Sequence, residues 1–301
     1  MSKAARSSTQ RPLSVIVMGG LGNQLFQLAA AIRLSSSSAR HVLLDRSWYD
    51  TYGYQDFLID RCFNLNDLGI EITSDSTPMP LALKKAIWAT RLRFHSRSTL
   101  VQTGTGYDPR VFEVVGINRL VGYFQSWRYF ENDLHRIFTL FRDSLARQCA
   151  SSVAPATYSS ANRAAMHLRL GDYETKENTR RYGGVSTNYI RQSIKVLRYL
   201  HPAVDTVSIF SNDISRAQSL MQTIDLGVDH ELVEPMDPVT DLIRMSNFSS
   251  LVISNSSFSW WAGALPNPSG HKTVLAPTPW QVKPRDEGAD LRLPRWVAIP
   301  R

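Results

Sequence analysis

Short β-branched runs alternate with helix-patterned segments along most of this 301-residue chain, and that alternation constrains the fold more than any other feature. Ser14 to Met18 reads as a buried strand bounded by Pro12 and by Gly19-Gly20. Apolar residues at Leu25, Phe26, Leu28, Ala29 and Ile32 then recur at helical spacing over 23–34, and His41 to Asp45 reads as a second strand. Strand, glycine-rich turn and helix form the opening of a βαβ unit. A strand over 118–123 and a helix over 129–149 follow. The rhythm then returns, with strands over 163–170, 206–210, 230–233, 251–254 and 273–276. Helical segments over 187–200, after 213, from 241 and over 258–265 lie between them. This pattern predicts an α/β fold with mainly parallel sheets.

The stretch 151–162 is low in charge and rich in Ser, Ala and Pro, as a linker is. It divides the chain into a basic, disordered tail (1–13), an N-terminal domain (14–150) and a C-terminal domain (163–301).

Charge narrows the partners. The net charge is +8, and arginine outnumbers lysine 27 to 7. Arginine suits bidentate grip on phosphates and carboxylates, so an anionic partner is expected. No array of stacking aromatics among basic residues marks a nucleic-acid module, and nucleic acid is not expected as a partner. Residues 76–107 hold no acid, and Lys84, Lys85, Arg91, Arg93 and Arg97 lie there among apolar residues. Two readings of 84–97 stay open: an ordinary solvated basic face, or an amphipathic helix in peripheral contact with an anionic membrane. No run of about 18 apolar residues spans a bilayer. The tail, with Lys3, Arg6 and Arg11, lacks the apolar region of a signal peptide. Cys62 and Cys149 fit no disulfide framework or metal spacing, and core thiols in a reducing compartment are expected. The expected location is cytoplasmic, with peripheral contact at the inner face of the membrane under the second reading of 84–97.

Three motifs carry chemistry. In Gly19-Gly20-Leu21-Gly22-Asn23-Gln24, glycines between strand and helix let backbone N–H groups approach a ligand. The spacing is neither a dinucleotide fingerprint nor a Walker loop. In His167-Leu168-Arg169-Leu170-Gly171-Asp172-Tyr173, alternation puts His167 and Arg169 on one face at the carboxyl end of a strand, and Leu168 and Leu170 on the other, in packing. A structural Arg169–Asp172 ion pair is the competing reading. In Ser254-Asn255-Ser256-Ser257-Phe258, hydroxyls open a helix whose first N–H groups attract anions, although plain N-capping explains one of them. No strict Asp-x-Asp, clustered Cys/His, His-Glu-x-x-His or Gly-x-Ser-x-Gly occurs.

Five segments, GGLGNQLFQLA, VGYFQSWRYF, HLRLGDY, FSND and ISNSSFSWWAGAL, follow in this order. Together they resemble the alpha-1,2-fucosyltransferases of glycosyltransferase family 11, over about Val15 to Ala276. The resemblance implies a GT-B-like architecture, two Rossmann-like domains with mainly parallel sheets facing a cleft. It implies inverting transfer of L-fucose from GDP-fucose to the 2-hydroxyl of a galactoside, with no cofactor and no obligatory metal. The N-terminal domain would take the acceptor, a galactose-terminated glycan, free or lipid-linked, and the C-terminal domain the GDP-sugar donor. The same fold acting on another GDP-deoxysugar or a non-galactose acceptor is the alternative.

By position, the resemblance places Arg169 on the diphosphate and His167 beside the nucleoside. Asn255, Ser256, Ser257 and Phe258 would line the phosphate and fucose pocket, with Ser211 and Asp213 at the neighbouring strand end. Asp241 would accept from the guanine N1–H and amino group, and Gly20, Gly22 and Asn23 would approach from the N-terminal domain. The family commonly carries a second Arg where this chain has Leu170, which leaves the phosphate grip to Arg169 and helix N–H groups. Catalytic roles fall to Arg169, against the charge growing on GDP, and to Asp172 as base, with late deprotonation that needs no dedicated base as the alternative. Glu174, Glu177, Asp45 and Asp50 are the competing carboxylates.

Overall fold

The computed structural model describes residues 11–38, 40–52, 56–74, 82–83, 85–86, 97–102, 106–113, 115–149, 162–170, 183–281 and 290–301. Most of the tail, most of 84–97, nearly all of the 151–162 stretch and all of 171–182 thus lie outside the described residues. The chain forms two compact units, Met1–Leu134 and His135–Arg301.

The first unit contains β1 (Leu13–Ile16), α1 (Leu21–Ser37), β2 (Val42–Asp45), α2 (Ser47–Tyr52), α3 (Ile59–Cys62), β3 (Ile70–Thr73), β4 (Thr99–Val101) and β5 (Arg119–Val121). Its strands form a parallel sheet in the order β3-β2-β1-β5-β4. α1 is buried along most of its length, which explains its continuous run of apolar and small residues. Two buried glutamines on this helix do structural work. Gln27 accepts from Met18 N–H and donates to Gly122 O, and Gln24 accepts from Leu58 N–H and donates to Asp56 O.

The second unit contains α4 (Leu134–Gln148), β6 (Arg163–Leu168), α5 (Thr187–Leu200), β7 (Thr206–Ser211), α6 (Ile214–Met221), β8 (Asp229–Leu232), α7 (Pro238–Ser246), β9 (Ser250–Val252), α8 (Ser257–Ala264), β10 (Thr273–Thr278) and β11 (Val297–Pro300). A parallel sheet runs β11-β10-β9-β6-β7-β8. α4 lies in this unit, upstream of 151–162, because Phe138 and Phe141 pack their rings on Trp261. Trp260 and Trp261 are both fully buried, so this pair is core. β6 is buried at nearly every position, as a central parallel strand is. Its side chains join those of α5, β7 and α6 in one apolar core.

The α/β expectation with two Rossmann-like parallel sheets holds. β3, β4 and β11, outer strands of their sheets and mostly half-buried or exposed, were not anticipated. Cys62 and Cys149 are buried thiols outside any disulfide, and burial pushes the Cys149 thiol up. No helix among the described residues is long and apolar enough to cross a membrane.

Candidate active site

The second sheet reverses its winding between β6 and β9: β7 and β8 extend it on one side, β10 and β11 on the other. Helices leaving neighbouring strands in opposite directions open a crevice at the carboxyl ends, where open α/β sheets bind ligands. β6 ends there in His167-Leu168-Arg169, and β9 leads there into Ser254-Asn255-Ser256. The second and third sequence motifs, some 90 residues apart, therefore meet at this point.

His167 is the centre of the meeting. Its Nδ1 lies 3.0 Å from Ser254 Oγ, and its ring centroid lies 5.7 Å from that of Phe258. Ser254 Oγ is 3.2 Å from Ser259 Oγ, which in turn lies 3.3 Å from the carbonyls of Ser254 and Ser256. Burial, and secondarily the charge of Arg169, lower the His167 pKa to about 3, so the imidazole is neutral at physiological pH. Ser256 caps α8 by accepting from Phe258 N–H at 3.3 Å. Asn255 Nδ2 donates to Gly183 O at 3.2 Å, while Ser257 and Phe258 are half-buried on the first turn.

Strand structure stops at Leu168, so Arg169 and Leu170 lie beyond the alternation expected of 163–170. Arg169 is half-buried and Leu170 buried. Asn212 fixes this exit by accepting from Leu170 N–H at 2.8 Å and donating to Leu170 O at 2.9 Å. Leu170 thus packs into the core, the outcome alternation suggested, but through a side-chain clasp instead of a ladder. Ser211 and Asp213 flank Asn212. Ser211 Oγ bonds the Asp213 backbone, and Asp213 Oδ1 accepts from Arg216 N–H to cap α6.

Asp241 sits in the first turn of α7. Its Oδ1 accepts from Arg244 Nη1 at 2.9 Å and its Oδ2 from Met236 N–H at 3.0 Å, leaving further lone-pair directions on both oxygens. Burial pushes its carboxyl up, against the opposing pull of the Met236 amide and Arg244. The Arg244 guanidinium lies 5.5 Å from the ring centroid of Phe210, the β7 register partner of His167. Register partners in a parallel pair share a face, so Asp241 and His167 belong to the same face of the sheet.

In the first unit, Gly19 has φ +81°, and a Cβ there would fall 2.5 Å from Asn23 Nδ2. Gly20 caps α1 without a side-chain bond, leaving first-turn N–H groups to other partners. Gly22 is buried, and Asn23 Oδ1 accepts from Gln125 Nε2 at 2.6 Å. Asp45 accepts from Ser47 N–H at 2.9 Å and lies 3.5 Å from Arg119, and Asp50 lies 3.4 Å from Arg46. Asp172, Glu174 and Glu177 lie outside the described residues.

The model for Glycosyl transferase family 11 matches residues 12–300. The chain belongs to this family. Its relatives include an alpha-1,2-colitosyltransferase of Escherichia coli, 27% identical and covering 96% of this chain and 100% of its own length. The O-antigen biosynthesis glycosyltransferase WbnK of Escherichia coli is 25% identical over 87% of this chain and 92% of its own. Among solved structures, the fucosyltransferase NodZ from Bradyrhizobium aligns with TM-score 0.47 and 15% identity, over 87% of this chain and 98% of that one.

The family 11 chain is a glycosyltransferase, and its second and third motifs meet at the crevice of the second unit. Ser254 and Ser259 stood inside the third motif without a role of their own, and Asn212 and Arg244 were given none. Asn212 stood inside a quoted motif, and an Asp–Arg pair at i, i+3 on a predicted helix was a legible signal for Arg244. Among the described residues, no three His, Cys, Asp or Glu side chains cluster as a metal site would.

Proposed function

We propose that this enzyme transfers L-fucose from GDP-fucose to the 2-hydroxyl of a galactoside, with inversion at the fucosyl carbon. One observation carries the reading: Arg169, the neutral His167 and the Ser256-capped start of α8 come together where β6 and β9 part. A nucleoside diphosphate leaving group needs that combination. Its growing negative charge is met by a guanidinium and by helix-start N–H groups, fixed in advance and partly shielded from water. In this scheme the charge on GDP is balanced by protein donors without a metal ion. Asp241 accepts the guanine N–H groups. Asp172 takes the proton of the acceptor hydroxyl, and the acceptor is a galactose-terminated glycan, free or lipid-linked.

A second reading keeps the fold and the nucleotide site and changes the sugar. It is favoured by the colitosyltransferase relative and by Leu170, which is apolar where a second Arg is common in the family. The test measures GDP release by the purified chain from GDP-fucose and GDP-colitose, each with a panel of galactosides, and determines the product linkage. A kcat/KM for GDP-fucose at least tenfold above GDP-colitose, with a new 1,2-linkage, upholds the first reading. The reverse ratio upholds the second, and release from neither sinks both.

A further inference from the structure

Beneath the crevice the side chains of His167, Ser254 and Ser259 form one hydrogen-bonded line, and all three are buried. The line ends on backbone, because Ser259 Oγ lies 3.3 Å from the carbonyl oxygens of Ser254 and Ser256. A hydroxyl owns a single hydrogen, so the direction of one bond sets the direction of the next. If Ser259 donates to a carbonyl, it accepts from Ser254. Ser254 then has no hydrogen left for the ring and must accept Nδ1–H. That arrangement makes three bonds. In the reverse one, Ser259 donates to Ser254 and Ser254 to a bare Nδ1, which makes two and leaves the carbonyl end unused. In a dry site the arrangement with the extra bond wins, and bonds in a line reinforce one another.

We propose that Ser254 and Ser259 are positioning residues that lock His167 as the Nδ1–H tautomer and so present Nε2 to the ligand as a bare acceptor. Among the described residues nothing hydrogen-bonds Nε2. A bare Nε2 attracts an O–H or N–H group and repels a phosphate oxygen. It therefore divides the labour at the crevice: the diphosphate belongs to Arg169, and His167 recognises a hydroxyl or N–H of the nucleoside or sugar. The identity of that ligand rests on the GDP-sugar reading above, whereas the tautomer does not. The low basicity of the ring keeps the tautomer neutral in the working range.

The test is long-range proton–nitrogen correlation NMR on the 15N-labelled full chain, with His167 assigned by its absence in His167→Gln. The expected spectrum shows a protonated Nδ1 and an unprotonated Nε2, and a protonated Nε2 in the wild type overturns the proposal. Ser254→Ala should release the lock, giving mixed tautomers, and should raise the donor KM about tenfold with a smaller change in kcat, the effect of about one hydrogen bond. Ser259→Ala should act in the same direction but less, and Ser254→Thr, which keeps the hydroxyl, should restore the single tautomer. An unchanged tautomer in Ser254→Ala overturns the lock. A chain that transfers no sugar while showing the expected spectrum refutes the GDP-sugar reading and leaves the lock standing.

Discussion

Asp241 is held by Arg244, whose Nη1 donates to Oδ1 at 2.9 Å, and the pair stands on the same face of the second sheet as His167. The guanidinium positions the carboxylate and opposes the burial that pushes its pKa up. Asp241→Asn keeps the shape but turns one acceptor oxygen into a donor. Donor KM should rise by about tenfold or more, from the loss of a charge-assisted bond. Inhibition by GDP should fall toward that by ADP. Equal GDP preference in the variant and the wild type would remove guanine recognition from Asp241.

Because Asp241 titrates above an ordinary carboxylate, the variant should also differ in its acid limb. The wild type loses the charged acceptor as pH falls through the raised pKa, so its donor KM should climb at acid pH. In Asp241→Asn that climb should be absent, which steady-state kinetics in a constant-ionic-strength buffer series would reveal.

Arg169 is half-buried, one residue past the end of β6. Removing a fixed charge partner of the leaving group costs about 3 kcal/mol or more, on the order of a hundredfold in rate. Arg169→Ala should therefore lose kcat by at least that factor while unfolding at the wild-type midpoint. Arg169→Lys should recover little, because an ammonium cannot grip two oxygens in one plane. Activity of Arg169→Ala within tenfold of wild type would assign the diphosphate elsewhere.

His167 makes stability depend on pH. Its ring resists protonation to about 3 in the fold, with burial as the main cause and Arg169 as the lesser, whereas an exposed histidine titrates near 6.5. Between those values the unfolded chain binds a proton that the folded chain does not. Stability from this residue is therefore intact above about pH 6.5, is lost as pH falls below it, and levels off near 3. His167→Gln should flatten the descent by up to a factor of about ten in the folding equilibrium per pH unit. Denaturant titrations from pH 7.5 to 4.5 would measure both slopes.

Much of this architecture is legible in the chain, and the gaps have physical causes. β6 and α8 announce themselves because each is apolar and bounded by small or polar residues, and the site motifs sit at strand ends where such sheets bind ligands. The contact of His167 with Ser254 is not legible, because it depends on β6 pairing with β9 across 87 residues. Nor is the role of Asn212, whose side chain replaces a ladder bond just past the end of a strand. Leu170 is instructive. Alternation suggested its burial, yet the strand had already ended, and the core of α5 and α6 draws it in.

In the first unit, Gln125 Nε2 donates to Asn23 Oδ1 at 2.6 Å. The residue before Gln125, Phe124, has φ +49°, a left-handed conformation unusual for a bulky side chain, and its amide donates to Gln102 Oε1 at 2.9 Å. The strained turn buries the Phe124 ring against Tyr129, and the next residue reaches the start of α1. A double-mutant cycle of Asn23→Ala and Gln125→Ala should give a coupling of about 1 kcal/mol in unfolding free energy. Additive effects would mean that the bond contributes nothing net.

Lys272 offers a sharper test of how this fold balances charge. Its Nζ donates to the carbonyls of Ser246, Ala262 and Leu265 at 2.7, 3.0 and 2.6 Å. These oxygens end α7 and α8, where helices carry partial negative charge and lack their own donors. Burial and the nearby charges of Arg142 and Arg295 oppose the ammonium and push its pKa well down. An ammonium has three N–H donors and a neutral amine only two, so the three short bonds favour the charged form. Lys272→Met removes the buried charge together with the only donors these bonds supply. Three carbonyls then lose a partner at about 1–3 kcal/mol for each that water cannot reach. The gain from sparing a buried cation offsets part of that, and a net loss of about 2 kcal/mol is expected, read as a lower urea midpoint at unchanged slope. Since Lys272 lies at the helix ends and the crevice at the start of α8, kcat and KM at a temperature well below the melting point should stay at wild-type values. A variant as stable as the wild type would show that desolvation of the ammonium cancels the three bonds.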